Sequence, residues 1–350
     1  MPQYDFKNVI GQDIAKRSVV AALESGTLSP TYLLEGPEGV GKATFALEFA
    51  KALNCTSPEI RPCGTCPSCQ KINRFQHPDL WVLLPDKLKG EPLGQKGWVR
   101  PPGFHAQLKI SIDQVREVEQ EVTRAPLEAR FRVVVVLNAE NLTLEAQNAF
   151  LKVLEEHPSH TIFLLVSSRP TAILPTVRSR CRVLRFSLLS LEEFRRYPWP
   201  ERGDLPIEVL YRLSSGSLGL ARSLIDHAVL SIRNDLIDQW LERAKAGLVE
   251  FLNLLTVDMA QSQVVLWTLA TLIRDFLAIK LGTPEIVANV DRIEDLRKLA
   301  QHLTLEQVES LFRRLGEVEE ALRRNVSPRT AMLSLTGPLW EPHYLDLFRG

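Results

Sequence analysis

The chain has 350 residues, of which 45% are hydrophobic and 24% charged, a balance that excludes disordered, collagen-like and disulfide-scaffold proteins. The charges of its 42 basic and 42 acidic residues cancel, whereas a protein that mainly binds a nucleic-acid backbone is normally basic. No segment reaches the ~20 apolar residues that span a membrane. The first residues also lack the apolar core of a signal peptide, so we expect a cytoplasmic protein without membrane contact.

Strand-like and helix-like segments alternate through the first half of the chain. Strands that are separated by helices indicate a parallel sheet with helices on both faces. The fold class that we predict here is therefore α/β. The predicted strands are 31–34, 80–84, 132–137, 161–166 and 183–186, and the predicted helices between them are 45–53, 111–123 and 144–156.

Strand signals end near residue 188, and the remainder of the chain has helical periodicity. We therefore predict an α/β domain over 1–187, a small helical domain over 188–228 and an all-α domain over 229–350. Residues 85–109 are rich in glycine and proline and predict an exposed loop insertion. The last long helix is marked by an apolar stripe at helical spacing over 305–322, which includes Phe312.

Residues 36–44 follow the first predicted strand and open a helix, which is the context of a phosphate-binding P-loop. Gly36, Gly39 and Gly41 let backbone N–H groups face a phosphate at a helix N-terminus. Lys42 would reach the β- and γ-phosphates, and Thr44 adds a hydroxyl in the first turn. The alternative is a glycine turn with an exposed lysine.

The groups that would hold Mg²⁺ are missing from this P-loop. Ala43 stands where a Ser or Thr hydroxyl binds the metal. The second strand motif has Asn138 and Ala139 where an Asp-Glu pair is expected, and we expect Glu140 to point elsewhere. The sequence therefore predicts that ATP or ADP can bind without hydrolysis. In the alternative reading, Mg²⁺ is held through water molecules and Glu140.

Four cysteines lie within fifteen residues, at Cys55, Cys63, Cys66 and Cys69. Four thiolates at this spacing match a tetrahedral structural zinc site, which leaves no open position for a substrate. An iron–sulfur cluster and unliganded thiols are the alternatives. Cys181 is distant in sequence, and we interpret it as a small buried side chain.

Three arginines, Arg178, Arg180 and Arg182, follow the strand predicted at 161–166. In isolation they form an ordinary solvated basic edge. Their place in a P-loop domain raises a second hypothesis, in which one of them contacts the γ-phosphate of a neighbouring subunit. Such an arginine finger is worth ~10³–10⁵ in rate where it operates.

Together these features resemble the bacterial DNA polymerase III clamp-loader subunits, which are AAA+ proteins. The resemblance rests on residues 9–12 (Val-Ile-Gly-Gln), the P-loop, the four-cysteine insertion, the helix at 149–156 and residues 179–181 (Ser-Arg-Cys). It covers roughly residues 5–225. It implies an AAA+ P-loop domain, a small helical lid and an all-α C-terminal collar that assembles the complex.

Within this family, the chain looks like the delta-prime members rather than the gamma/tau motor, which keeps both magnesium motifs. The stretch 216–219 also has a glycine where the motor carries a nucleotide-sensing arginine. The resemblance implies a subunit without ATPase activity of its own, acting within the polymerase III holoenzyme. Arg180 would then be the finger for an adjacent gamma/tau site. The implied partners are gamma/tau, delta, the sliding clamp and, through the complex, primed DNA.

Two other hypotheses stay open from the sequence. The first is an active AAA+ motor of gamma/tau type, in which Thr44 and Glu140 replace the missing Mg²⁺ groups. The second is a zinc-bearing P-loop enzyme of another class, such as a nucleotide kinase.

Overall fold

The structure is a computed structural model, and it describes residues 2–85, 109–156, 159–199, 205–241, 259–324, 326–327 and 330–331. The described residues form two compact units. The first comprises the described parts of 1–98, 107–197 and 217–219, and the second those of 198–216 and 220–350. The predicted three-domain division stays a prediction, and the predicted loop at 85–109 lies almost entirely outside the described residues.

The first unit is built on a five-stranded parallel sheet, as the sequence predicts, and its strands lie in the order β4-β5-β6-β2-β7. Each of these strands overlaps a predicted one. The central strands β2, β5 and β6 are buried throughout because both faces of the sheet are covered, which makes them apolar without alternation. The P-loop strand β2 pairs with β6 on one side and β7 on the other. The strands are β2 (Thr31–Glu35), β4 (Leu80–Leu83), β5 (Arg132–Leu137), β6 (Thr161–Ser167) and β7 (Arg182–Arg185).

Helices cover both faces of this sheet, and successive strand residues point to opposite faces. On one face, the strands pack against Phe45 and Phe49 of α2. On the other face, they pack against Val118 of α4 and Phe150 of α5. The helices of this unit are α1 (Asp13–Ser25), α2 (Lys42–Asn54), α3 (Pro67–Asn73), α4 (Ile112–Val122), α5 (Leu144–Glu155), α6 (Pro175–Arg178) and α7 (Leu191–Arg195).

Two of these helices begin at caps that the sequence provides. Ser111 and Gln114 form a capping box at the start of α4. At the start of α5, the side chain of Thr143 accepts a hydrogen bond from the backbone N–H of Ala146.

A second, two-stranded parallel sheet joins β1 (Gln3–Tyr4) to β3 (Ile60–Arg61). The strand β3 lies inside the four-cysteine segment, between Cys55 and Cys63. The first strand of the chain is therefore hydrogen-bonded to the four-cysteine segment.

The described residues of the second unit are largely helical. Their core includes Leu236 and Trp240 of α10 with Leu272 and Phe276 of α11, all buried. No helix of the described residues is long and apolar enough to cross a membrane. The helices are α8 (Ile207–Ser214), α9 (Leu218–Asp226), α10 (Val229–Leu241), α11 (Met259–Lys280), α12 (Ile293–Gln301) and α13 (Leu305–Arg323); α9 begins with two residues of the first unit.

The apolar stripe predicted over 305–322 forms α13, with two exceptions, Leu305 at the start of the helix, which is 41% exposed, and Phe312. Leu311 and Leu315 are buried in the core, whereas Phe312 is 61% exposed. The reason is the helical repeat, because Phe312 follows Leu311 and lies ~100° further round the helix. The inclusion of Phe312 in the buried stripe was wrong.

Candidate functional site

The P-loop lies at the edge of the sheet where the parallel strands end. Gly36 follows β2, and α2 begins at Lys42. The φ angles of Gly36, Gly39 and Gly41 are 152°, 74° and 96°, which side chains with a Cβ rarely adopt. A Cβ at Gly36 would also stand 2.3 Å from the carbonyl oxygen of Phe186, just after β7. Glycine is therefore required where β2 leaves the sheet.

The lysine of the P-loop is turned back onto its own loop. Lys42 is 5% exposed. Its Nζ donates hydrogen bonds to the carbonyl oxygens of Gly36 and Pro37 and, at 3.2 Å, to Oγ of Ser168. Burial lowers the pKa of the Lys42 ammonium to about 8. The lysine thus lies between the loop and the end of β6.

Glu140 and Lys42 both contact Ser168, so the expectation that Glu140 points elsewhere was wrong. Its Oε1 accepts a hydrogen bond from the backbone N–H of Ser168 at 3.3 Å, and its charge opposes the lowering of the Lys42 pKa. Its Oε2 is buried without a hydrogen-bond partner. The cause is Asn138, whose left-handed φ of 54° turns the chain out of β5 into a three-residue helical turn.

The positions that would carry Mg²⁺ ligands hold apolar groups. Ala43 is half-buried and packs against the sheet core, while Thr44 next to it is exposed. At the end of β5, Ala139 is 0% exposed and packs into the core on the other face. Among the described residues after β5, Glu140 is the carboxylate whose charge acts on Lys42.

The segment with Arg178, Arg180 and Arg182 begins at the last residue of α6, and Arg178 and Arg182 have partners in the body of the domain. Arg178 donates to the carboxylate of Glu35 at 2.8 Å, and Arg185 donates to the same carboxylate at 3.3 Å. Arg182 contacts the hydroxyl of Ser18 at 3.1 Å. Because Glu35 ends β2 directly before the P-loop, Arg178 ties α6 to the P-loop strand.

Arg180 lies on the outer side of the same segment. Its guanidinium contacts the carboxylate of Glu155 and donates to the carbonyl of Thr176 at 2.9 Å. The side chains of Arg180 and Glu155 are 41% and 54% exposed. Exposed ion pairs of this kind are worth ~0–1 kcal/mol, so little free energy holds Arg180 against Glu155.

The four cysteines come together in space. The Sγ atoms of Cys55, Cys63, Cys66 and Cys69 all lie within 4.8 Å of one another. The Sγ atoms of Cys55 and Cys66 are 3.9 Å apart, and no pair forms a disulfide. Tetrahedral coordination with Zn–S bonds near ~2.3 Å requires sulfur atoms about 3.8 Å apart. The four thiols are therefore placed to hold one metal ion.

The surroundings of these thiols suit a bound metal. Backbone N–H groups of Cys63, Cys66 and Cys69 point at the sulfur atoms of Cys55, Cys63 and Cys66, at 3.4, 3.3 and 3.5 Å. Burial raises the pKa of Cys63, but the N–H of Cys66 and the Thr65 hydroxyl outweigh it and lower that pKa to about 6. Such outer contacts orient and stabilise metal-bound thiolates.

Polar contacts anchor the cysteine segment to the sheet. Lys71 of α3 forms an ion pair with Glu128 at 2.6 Å. His77 lies 3.6 Å from the same carboxylate. Asp79 fixes the turn that carries Glu128. Its buried carboxylate accepts hydrogen bonds from three backbone N–H groups of that turn. The four-cysteine segment and the turn that carries Glu128 before β5 therefore form one connected structure.

Sequence reasoning missed the role of Gln12. Its side chain donates to the carbonyls of Val40, in the P-loop, and of Ser187, and accepts from the N–H of Ser187. Gln12 has a left-handed φ of 59° and follows Gly11 in the motif at 9–12. That motif was the available signal, but its contact with the P-loop requires the three-dimensional structure.

The parallel five-stranded sheet, the P-loop after its β2 strand and the helical second unit define an AAA+ P-loop protein. Family models described as "DNA polymerase III, delta subunit" and "DNA polymerase III, delta subunit, C terminal" match residues 11–190 and 228–334. The first match alone covers just over half of the chain. The chain belongs to the DNA polymerase III delta subunit family, within the clamp-loader AAA+ proteins of DNA polymerase III.

Individual relatives include both subunit types. The chain is 33% identical over 212 residues to DNA polymerase III subunit delta' of Pseudomonas aeruginosa, covering 59% of each protein. It is 31% identical over 168 residues to subunit delta' of Bacillus subtilis, covering 48% of this chain and 45% of that protein. It is 33% identical over 185 residues to subunit gamma/tau of Mycobacterium tuberculosis, covering 53% of this chain but only 29% of that protein.

A solved structure, a DNA polymerase III gamma subunit-related protein from Thermotoga maritima, aligns with 16% sequence identity and a TM-score of 0.48. The alignment covers 96% of this chain and 99% of that one.

Proposed function

We propose that this chain is a non-hydrolysing, delta-prime-type subunit of the bacterial clamp loader. The observation that carries the proposal is the first turn of α2. Ala43 packs its methyl group against the sheet core where a Mg²⁺-binding hydroxyl would be needed. Ala139 at the end of β5 is buried and apolar as well. A loop with this composition can hold the phosphates of ATP or ADP through Gly36, Gly39, Gly41, Lys42 and Thr44 without cleaving them.

In this proposal, Arg180 acts on a nucleotide bound by the neighbouring subunit. Its support is the contrast with Arg178, which is tied to Glu35 beside the P-loop of its own chain. Arg180 is held by an exposed pair with Glu155 and one hydrogen bond to the carbonyl of Thr176, both at the surface, so releasing it costs little. The neighbour would be a gamma/tau subunit.

The remaining partners follow from the clamp-loader role. We expect the chain to assemble with gamma/tau and delta, and to meet the sliding clamp and primed DNA as part of that complex. Its place of action would be the cytoplasm. The near-zero formal charge agrees with contact to DNA through the assembly rather than through this chain alone.

We also propose that the metal held by Cys55, Cys63, Cys66 and Cys69 is Zn²⁺ in a structural role. The support is the spacing of the sulfur atoms and the N–H groups directed at them. Four protein ligands leave no coordination position for a substrate. The ion would fix α3 and the segment before it.

A second candidate function is an active motor of gamma/tau type. The observation that favours it is Glu140, which shares Ser168 with Lys42 and keeps a buried oxygen without a hydrogen bond. A carboxylate there is near the phosphate cradle and could act on bound Mg²⁺. The two candidates differ in one measurable property, the ATPase activity of the isolated chain.

The first test measures Mg²⁺-dependent ATP hydrolysis by the purified chain, with Lys42→Ala as the control. The proposal expects no turnover above that of Lys42→Ala. Turnover that depends on Lys42 would overturn the non-hydrolysing role and establish the motor.

The second test measures DNA-stimulated ATP turnover after the chain is assembled with gamma/tau and delta. Arg180→Ala should assemble normally but lower turnover by ~10³-fold at the site it serves. Arg182→Ala, on the same segment, is the matched control and should behave as the unmodified chain. Equal turnover by Arg180→Ala and Arg182→Ala would remove Arg180 from catalysis.

A further inference from the structure

Residues 3–12, the N-terminal strap, run from the four-cysteine segment to the P-loop within the first unit. At one end, two backbone N–H groups of the strap donate to the carbonyl oxygens of residues 59 and 61, at 2.7 and 2.9 Å. At the other end, the side chain of Gln12 donates to the carbonyl oxygen of Val40, in the P-loop, at 3.2 Å. The strap therefore bridges the two candidate sites of the unit.

Between its ends, the strap lies against α2. The ring of Phe6 is 3% exposed and stacks on the ring of Phe45, with the centroids 5.2 Å apart. The side chain of Asn8 donates to Oε1 of Glu48 at 2.9 Å. Because α2 begins in the P-loop and ends at a cap formed by Cys55, the helix and the strap connect the same two sites.

The pairing of β1 with β3 depends on what holds β3 in place. Each strand has two residues, and the paired residues Gln3 and Ile60 are both exposed, so water competes for their hydrogen bonds. A lone pair of strands is marginally stable in water. However, β3 lies between Cys55 and Cys63, and a metal ion bound to both cysteines closes that short loop. A closed loop has less conformational entropy to lose when its strand is ordered.

We propose that the metal ion of the four-cysteine segment controls the docking of the N-terminal strap and, through the strap, the contact of Gln12 with the P-loop. The metal orders β3, and the ordered β3 holds β1. By linkage, docking of the strap strengthens metal binding by the same factor. The buried ring of Phe6 keeps the middle of the strap attached, so the effect of the metal decreases towards Gln12. The inference rests on the proposed zinc role and extends it beyond α3.

The test is amide hydrogen exchange of the full chain, resolved by residue with NMR, before and after chelation under reducing conditions. Two amides report on the strap: that of Asp5, bonded to Arg61, and that of Ser187, which donates to Oε1 of Gln12 at 3.1 Å. Removing the metal should speed exchange roughly tenfold at Asp5 and roughly two- to fivefold at Ser187. One equivalent of ZnCl₂ should restore both rates.

The amide of Leu174 is the matched control within the same unit. It donates to Oε1 of Gln147 at 2.7 Å, so it is also bonded to a glutamine side chain. Leu174 packs into the core on the sheet face opposite α2. Its exchange should be equal with and without metal. An equal rise at Leu174 and Ser187 would mean general loosening of the unit and would overturn control through the strap.

A chain that lacks residues 2–5 disconnects the strap from the metal. In this variant, chelation should still speed exchange over residues 55–75 but leave the rate at Ser187 unchanged. In the full-length chain, Cys63→Ser removes a half-buried thiol of the cluster and should reproduce the effect of chelation. Cys181→Ser, outside the cluster, should behave as the unmodified chain does.

The proposal is overturned if chelation leaves exchange at Asp5 and Ser187 unchanged, including the case in which the purified chain carries no metal. It is also overturned if the chain without residues 2–5 responds at Ser187 as the full-length chain does. Zinc that binds without altering these two amides would preserve the structural zinc site and remove only the strap. The clamp-loader role is measured separately, by assembly with gamma/tau and delta and by the turnover of Arg180→Ala.

Discussion

The carboxylate of Glu35 accepts a hydrogen bond from the guanidinium of Arg178 at 2.8 Å, across the 143 residues that separate them. Glu35 ends β2 and Arg178 ends α6. The side chain of Glu35 is only 10% exposed, so its charge depends on the arginines beside it. This pair fixes the segment that carries Arg180 relative to the P-loop of the same chain.

Arg178→Ala should therefore destabilise the first unit, whereas Arg185→Ala should not. Both arginines contact Glu35, but the Arg178 side chain is 36% exposed and that of Arg185 is 82% exposed. We expect a loss of about 1–2 kcal/mol for Arg178→Ala and less than about 0.5 kcal/mol for Arg185→Ala. Urea denaturation followed by circular dichroism measures both values. Equal losses of unfolding free energy in the two variants would show that Arg178 and Arg185 contribute equally to stability through Glu35.

Gly36→Ala should cost more stability than Gly41→Ala, although both glycines have positive φ. Backbone strain of this kind costs ~1–3 kcal/mol at either position. At Gly36, the added methyl group also meets the Phe186 carbonyl at 2.3 Å, whereas at Gly41 it meets nothing within 4 Å. The urea midpoints of the two variants provide the comparison. A smaller loss of stability for Gly36→Ala than for Gly41→Ala would mean that the backbone after β7 shifts at little cost to admit the methyl group.

The stability of the chain should depend on pH through Lys42. Burial lowers the pKa of its ammonium from the ordinary 10.5 to about 8. Between these two values the unfolded chain holds the proton and the folded chain has released it. The free energy of unfolding therefore rises with pH between pH 8 and pH 10.5. Below pH 8 the folded chain carries the full cost of burying the charged ammonium of Lys42.

Lys42→Met keeps an unbranched side chain but cannot titrate. The free energy of unfolding of the unmodified chain, minus that of Lys42→Met, should increase between pH 8 and pH 10. Urea titrations at several pH values measure this difference. Parallel pH profiles for the two proteins would contradict a depressed pKa at Lys42.

Metal analysis of protein purified under reducing conditions should find about one Zn²⁺ per chain. Cys69→Ser should lose the metal, because Cys69 is fully buried within the cluster. Cys181→Ser is the matched control and should retain it, since Cys181 lies outside the four-cysteine group. Removing the metal with a chelator should speed amide exchange over residues 55–75 while β5 and β6 stay protected. Stoichiometric iron, or no metal at all, would refute zinc.

The sequence predicts the sheet well for a physical reason. β5 and β6 are buried on both faces, and their unbroken runs of Val, Ile, Leu and Phe are visible without any neighbour. The same logic fails for β1 and β3, which have two residues each and pair only because the cysteine segment brings them together. The helix α3, seven residues long, is capped by Cys66, whose sulfur accepts a hydrogen bond from the backbone N–H of Cys69.

At the candidate site, residue types are readable from the sequence but directions are not. The P-loop and the four-cysteine segment are recognisable from the spacing of their residues, and the structure brings the four thiols together. Glu140 differs, because its direction depends on the left-handed turn at Asn138, which no periodic pattern encodes. The need for glycine at position 219 is likewise invisible, since it arises from a contact with residue 39, far away in the chain.

The pairing of β1 with β3 has a practical consequence for protein preparation. Gln3 and Tyr4 are hydrogen-bonded to a strand between Cys55 and Cys63. A polyhistidine purification tag fused ahead of Gln3 would thus bring imidazoles to the strand paired with the four-cysteine segment, where they would compete for the proposed zinc ion. Nickel-affinity resins would add a second, foreign metal at the same place. Purification handles are better attached away from this strand, or cleaved before any metal stoichiometry is determined.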